Sequence, residues 1–294
     1  MTHPTATTAH SAPVPFGARL RAAMDELGPF CPGIDPHPGL LDQWGLADDV
    51  DGLERFAMTC VEAFGGDVAC VKPQAAFFER FGSRGVAVLE HTLEALRDAG
   101  TLCLLDAKRG DIGTTMAGYA QAYLSDTSPV RADAVTLSPF LGYESLRPAI
   151  DLAARTGRGV FVLALTSNPE GPSVQHAVLD QRSVAGSVVD GATADNAPAR
   201  LAGSLGSVGL VIGATVGGAV LDLGLDLTAS AAPLLVPGLG AQGGTPEGVR
   251  ATFGAAVGKV LGTSSREVLS AGPGVADLRD AARRSADALA AAAR

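Results

Sequence analysis

Residues Thr101–Thr115 read TLCLLDAKRGDIGTT. The apolar run Leu102–Leu105 gives way at once to Asp106, Lys108 and Asp111. A short apolar run bounded by polar residues has the length of a strand covered on both faces. Side chains alternate along an extended segment, so Asp106 and Lys108 share one face and Ala107 takes the other. Asp111 lies just past the strand, and Met116–Leu124 then follows a helical period. One strand, a charged end and one helix make a βα unit, the building block of a parallel sheet.

The same unit recurs along the chain. Strand-like runs are expected at Phe30–Ile34, Val68–Val71, Leu102–Leu105, Ala134–Leu137, Val160–Leu165, Leu210–Gly213, Leu234–Val236 and Val257–Leu261. Helical stretches lie between them. Leu53, Phe56, Ala57, Cys60, Val61 and Phe64 fall on one helical face, and Val86–Ala99 and Ser145–Ala154 read similarly. Asp277–Ala293 reads as a closing helix. Eight such units predict a single-domain (β/α)8 barrel, a TIM barrel, and 294 residues suits a fold that typically takes about 250. A doubly wound open sheet is the runner-up, but no GxGxxG follows the first strand. Residues 1–14, in no periodic order, read as a mobile tail ahead of a domain spanning 15–294. Residues 167–205 predict a long loop with at least one helix, and 216–232 make a poor helix.

Composition narrows the function. A net charge of -9 leaves no broad cationic surface for a nucleic acid. A single phosphate could still be held by a helix N-terminus and one or two cations. No apolar run is long enough to span a bilayer, and the N-terminal sequence lacks the basic start and apolar core of a secretory leader. Cys31, Cys60, Cys70 and Cys103 form no CxxC pair and read as small buried hydrophobes. The expectation is a cytoplasmic protein with no nucleic-acid or membrane partner.

Barrel sites collect at the C-terminal ends of the strands. Here the first ends in Asp35, the second in Lys72 and the third in Asp106, Lys108 and Asp111. The fifth ends in Thr166, Ser167 and Asn168. The seventh runs into Pro237–Gly244, with Gln242, and the eighth into Arg266. Singly, several have ordinary explanations: Asp111 as a helix N-cap, Lys108 as a solvated strand end, the glycines as a plain turn. Asp106 is harder to set aside, because a buried carboxylate needs a partner, and Lys72 and Lys108 are available.

DAKRGDIGTT resembles the Asp-x-Lys-x-x-Asp-Ile-x-x-Thr signature of the orotidine 5′-phosphate decarboxylases. The likeness extends along the barrel. CPGIDP around Asp35 and VKPQAAFFE around Lys72 resemble the first- and second-strand motifs. SPFLGYESLRP and TSNPEG resemble loops of the longer bacterial subgroup, and VPGLGAQGG and TSSRE its phosphate-binding loops. The resemblance implies a cofactor-free enzyme with no metal, making UMP from OMP in pyrimidine synthesis. It implies that Lys108 protonates C6 and that Asp106 faces the substrate carboxylate. Lys72 and Asp35 would bind the ribose hydroxyls, and Ser167 would contact the pyrimidine. Pro237, Gln242 and Arg266 would belong to the phosphate site. Asp111, Ile112 and Thr115 would enter the partner's site in a homodimer. Glu170 stands where Gly is common in the subgroup, and 185–208 matches no motif.

These residues suit that chemistry. Loss of CO2 from C6 leaves a carbanion with no adjacent group to delocalise it. No metal-binding cluster or lysine–aldehyde cofactor motif is evident to supply a sink. A fixed ammonium can stabilise the developing charge and then supply the proton. An alternating row Lys72–Asp106–Lys108–Asp111 would keep both lysines charged and would titrate as a unit. Gly-rich Pro237–Gly244 has the flexibility for a lid closed by the phosphate, and Arg266 has a fork suited to two of its oxygens. One rival is a Mg²⁺-dependent sugar-phosphate decarboxylase or aldolase of the same superfamily. In those enzymes a metal-binding Glu ends the second strand, where this chain has Lys72. The other rival is a non-catalytic barrel that binds a phosphate ligand, which would have no need of the charged row.

Overall fold

A computed structural model describes residues 12–293. The apolar runs pair edge to edge as β1 (Phe30–Ile34), β2 (Cys70–Pro73), β3 (Leu102–Arg109), β4 (Ala134–Leu137) and β5 (Gly159–Leu165). A small antiparallel hairpin follows, β6 (Val178–Leu179) and β7 (Arg182–Ser183). Then come β8 (Val208–Ile212), β9 (Leu234–Pro237) and β10 (Val260–Ser264). Leaving the hairpin aside, each strand lies parallel to the next, and β10 returns to pair with β1. The result is the expected eight-stranded barrel with helices outside, and it leaves no sheet edge open.

Two apolar layers hold it together. Outward-facing residues such as Val71, Leu105, Val135, Val162 and Ile212 pack on the helices, including Val50–Phe64 and Gly82–Asp98. Inward-facing Cys31, Cys70, Leu104, Phe161, Val211 and Leu261 fill the barrel. The helix Phe16–Leu27 plugs one end with Phe16, Leu20 and Met24, which recur every fourth residue along one face. Phe16 meets Phe161 edge-on at 6.0 Å, and a Cβ on Gly159, the first residue of β5, would collide with the Phe16 ring. That helix therefore closes the N-terminal end of the strands and leaves the C-terminal end open. All four cysteines are buried and unpaired.

Boundaries move where local geometry overrides the apolar pattern. β1 and β4 match the expected spans, and β3 continues past Leu105 to Arg109. β10 starts later than Val257 because Gly254–Lys259 winds as a 3-10 turn. Residues 167–205 hold the short helix Pro172–Gln175, the hairpin, and the helices Val184–Asp195 and Ala197–Leu201. In 216–232 only Ala219–Asp222 is helical. No helix among the described residues is long and apolar enough to cross a membrane. Of the expected tail, residues 1–11 lie outside the described residues, and 12–14 are exposed.

Candidate active site

The strand alternation that fills the barrel also builds the site. Cys70, Leu104, Ala134, Leu235 and Leu261 belong to the inner core. Two residues further along each strand, on the same face, stand Lys72, Asp106, Thr136, Pro237 and Thr263. Those five line a cavity of about 550 Å³ at the C-terminal ends of the strands, together with Asp35, Lys108, Gln242 and Arg266. The interior thus turns from apolar to polar in one step along β2, β3, β4 and β10, while β9 ends in Pro237.

Asp106 is the hub. Lys72 Nζ lies 3.2 Å from its Oδ2, and Lys108 Nζ lies 2.6 Å from its Oδ1. The Thr136 hydroxyl donates to Oδ1 at 2.8 Å. With its NH2 turned toward its acceptors, Gln74 donates to the Asp106 carbonyl at 2.6 Å and to Oδ2 at 3.1 Å. Lys72 also sits 3.8 Å from Asp35 Oδ1. Lys72 and Asp106 are only 5% and 8% exposed, so each charge depends on the other for compensation. Burial alone would raise the Asp106 pKa, but Lys72 and Lys108 outweigh it and pull the carboxyl down to about 2. Burial likewise opposes the charged form of Lys72, yet Asp35 and Asp106 raise its pKa above the ordinary lysine value. Both groups are ionised at neutral pH.

The strand is irregular where these residues sit. Leu105 is in register with Val135, and Arg109 with Leu137. Three residues of β3, Asp106, Ala107 and Lys108, therefore lie opposite the single residue Thr136. This is a β-bulge, a device that re-aims side chains beside functional sites. Lys108 takes a positive φ of 46°, rare for a residue with a Cβ. Asp106 and Lys108 do reach the same space, but through this bulge rather than by plain alternation.

Of the remaining sequence-derived candidates, Asp35, Pro237, Gln242 and Arg266 line the cavity. The segment after β9 doubles back through Gly238, Gly240 and Gly243, all at positive φ, and a Leu239–Gly244 bridge closes it. Ser167 is exposed and faces Gly213, while its neighbours Thr166 and Asn168 line the cavity. Asp111, Ile112 and Thr115 do not line it. Asp111 accepts a hydrogen bond from the Ile112 N–H at 2.8 Å, forms no ion pair among the described residues and does not cap the following helix. Within one chain the charged row is therefore Asp35–Lys72–Asp106–Lys108. Sequence reasoning missed Thr136, Gln74, His37 and Thr263. The period-two pattern starting at Ala134 carries the signal for Thr136. His37 Nε2, Thr263 Oγ1 and Asp35 Oδ1 are buried with no hydrogen-bond partner among the described residues.

The model of the orotidine 5′-phosphate decarboxylase / HUMPS family matches residues 29–281. The orotidine 5′-phosphate decarboxylase of Salinispora tropica is 61% identical over 270 residues, covering 92% of this chain and 95% of the relative. A crystal structure from Streptomyces avermitilis ma-4680 superposes with a TM-score of 0.92 at 54% identity, covering 98% of this chain and 99% of that one. The OMP decarboxylase of Leishmania donovani superposes at 0.73 with 29% identity, over 95% of this chain and 99% of that one. The chain belongs to the orotidine 5′-phosphate decarboxylase / HUMPS family.

Proposed function

We propose that this protein is an orotidine 5′-phosphate decarboxylase, a carboxy-lyase that converts OMP to UMP and CO2 in pyrimidine biosynthesis. The observation that carries the reading is the pair of lysines, Lys72 and Lys108, on opposite oxygens of Asp106 beneath a cavity that Gln242 and Arg266 also line. OMP bears a phosphate at one end and a carboxylate at C6. Gln242 and Arg266, with Pro237 beside them, hold the phosphate, the guanidinium fork binding two oxygens at once. Asp35 and Lys72 bind the ribose hydroxyls; Ser167, the expected pyrimidine contact, stands outside the cavity of this chain, where Thr166 and Asn168 line it instead.

Asp106 then faces the substrate carboxylate, and Lys108 lies beside C6. When the C6–carboxylate bond breaks, its electron pair stays on C6 and CO2 leaves. The Lys108 ammonium stabilises that charge as it forms and then gives its proton to C6. Solvent returns the proton to Lys108. The Asp106 carboxylate, 2.6 Å from Lys108 Nζ, holds the ammonium in place. This chemistry calls for no metal and no organic cofactor.

The site is completed across a homodimer, with Asp111, Ile112 and Thr115 entering the partner's cavity. In support, Ile112, Phe140 and Leu141 are 62%, 78% and 52% exposed, an apolar surface that a second copy would cover. The enzyme works in the cytoplasm, with no nucleic-acid or membrane partner.

A Mg²⁺-dependent sugar-phosphate enzyme fits less well. The Lys72 ammonium stands 3.8 Å from Asp35 and 3.2 Å from Asp106, where it would repel a divalent cation. A non-catalytic phosphate-binding barrel would leave the charged row without a purpose.

Absorbance of OMP, followed with purified protein in excess EDTA, tests the assignment. Full activity is expected. Loss of activity that returns only with Mg²⁺ would favour the metal enzyme. Lys108→Ala should lower kcat by at least about 10³-fold, since it removes both the charge and the proton donor. Wild-type kcat in that variant would end the mechanism.

A further inference from the structure

Thr136 is 1% exposed and faces the three bulged residues of β3. Its Oγ1 accepts from the Ala107 N–H at 3.0 Å and from the Lys108 N–H at 2.9 Å. The same oxygen donates to Asp106 Oδ1 at 2.8 Å. One hydroxyl thus engages every bulged residue, using its single proton and both lone pairs. A bulge leaves backbone N–H groups without ladder partners, and buried N–H groups need acceptors. The hydroxyl fills that need. It also fixes the backbone at Lys108, whose φ of 46° an L-residue does not hold without surrounding support.

The two tasks are coupled. The backbone bonds set where the Lys108 side chain begins. The bond to Asp106 Oδ1 fixes the oxygen on which the Lys108 ammonium rests, 2.6 Å away. Both ends of the lysine are therefore referenced to one atom on β4. Valine has nearly the shape of threonine but would supply none of the three bonds, and serine could supply all of them.

We propose that Thr136 is a positioning residue for decarboxylation, aiming the Lys108 ammonium by clamping the bulge and the Asp106 carboxylate together. The inference rests on the decarboxylase reading above. Thr136 touches Asp106 and the backbone beneath Lys108, so its effect is on the placement of the proton donor. Misplacement of a reacting group by about 1 Å costs on the order of 100-fold in rate.

Steady-state kinetics on OMP with Thr136→Val and Thr136→Ser, each checked for folding by circular dichroism and thermal melting, test this. The valine variant should lose about 10- to 100-fold in kcat with KM within about threefold, because the loss falls on the transition state. The serine variant should stay within about threefold of wild type in both constants, because its hydroxyl can make all three bonds. A folded valine variant with wild-type kcat overturns the proposal. So does a serine variant as impaired as valine, or a loss confined to KM. Thr136→Ala replaces valine under the same criteria if valine does not fold. Failure of both to fold makes Thr136 structural and also overturns the proposal. Wild-type protein inactive on OMP would instead sink the decarboxylase reading, an outcome distinct from an active wild type and an equally active valine variant.

Discussion

Lys72 Nζ lies 3.2 Å from Asp106 Oδ2, and water reaches almost none of either side chain. This contact makes stability depend on pH. The Asp106 carboxyl is depressed from 3.8 to about 2 in the folded protein. Its contribution is fully present above the unfolded value and is lost as pH falls through the folded one. The difference corresponds to about 2 kcal/mol, which should disappear between roughly pH 5 and pH 2. Urea midpoints measured across that range should fall, and Asp106→Asn should remove part of the slope while lowering the midpoint at pH 7. An unchanged slope in that variant would mean that other carboxylates carry the acid sensitivity. Lys72 has the opposite sign. Its raised pKa keeps its contribution intact through neutral pH, to be lost only as pH rises beyond the ordinary lysine range.

Much of this architecture is legible in the sequence, for identifiable reasons. Both faces of a barrel strand are buried, so the apolar runs that mark β1, β4 and β5 stand out, and the charges that end β1, β2 and β3 stand out against them. The helix Phe16–Leu27 is harder to see, because only Phe16, Leu20 and Met24 of its apolar residues reach the inner core. The bulge is invisible, because nothing in DAKRG separates a regular strand from one with extra residues until Thr136 lies beside it. Ser167 and Asn168 are neighbours in a polar loop, and only the fold decides which one lines the cavity. Glu170 accepts from Asn168 Nδ2 at 2.9 Å within the same loop.

Asp111 separates sequence order from site membership. It sits three residues after Lys108, yet it forms no ion pair among the described residues of its own chain. If it serves the partner's site, two inactive variants should rescue each other. Lys108→Ala and Asp111→Ala proteins, mixed equally and allowed to exchange subunits, give one intact site in each mixed dimer. Half of the dimers are mixed, so about a quarter of wild-type activity should return. No recovery, with exchange confirmed by differently tagged subunits, would place Asp111 in its own chain's chemistry or outside it.

The unassigned segment 185–208 carries a structural role, through Asn196. That residue is 2% exposed. Its Nδ2 donates to the carbonyls of Val208 at 2.8 Å and Ser230 at 3.2 Å, and its Oδ1 accepts from the Val208 N–H at 3.1 Å. An amide side chain thus completes the pairing of the backbone at the first residue of β8, and a Cβ on Gly206 would strike it. Asn196→Ala would strand three buried backbone groups, and each unsatisfied group costs about 1–3 kcal/mol before relaxation or water entry. A loss of about 3 kcal/mol in urea unfolding is expected. Val208 starts its strand and the cavity lies at the strand ends, so kcat on OMP should stay within about threefold while the protein is folded. A variant of unchanged stability would show that the three groups find other partners, and a folded variant with kcat reduced tenfold would tie this end of the barrel to the chemistry at the other.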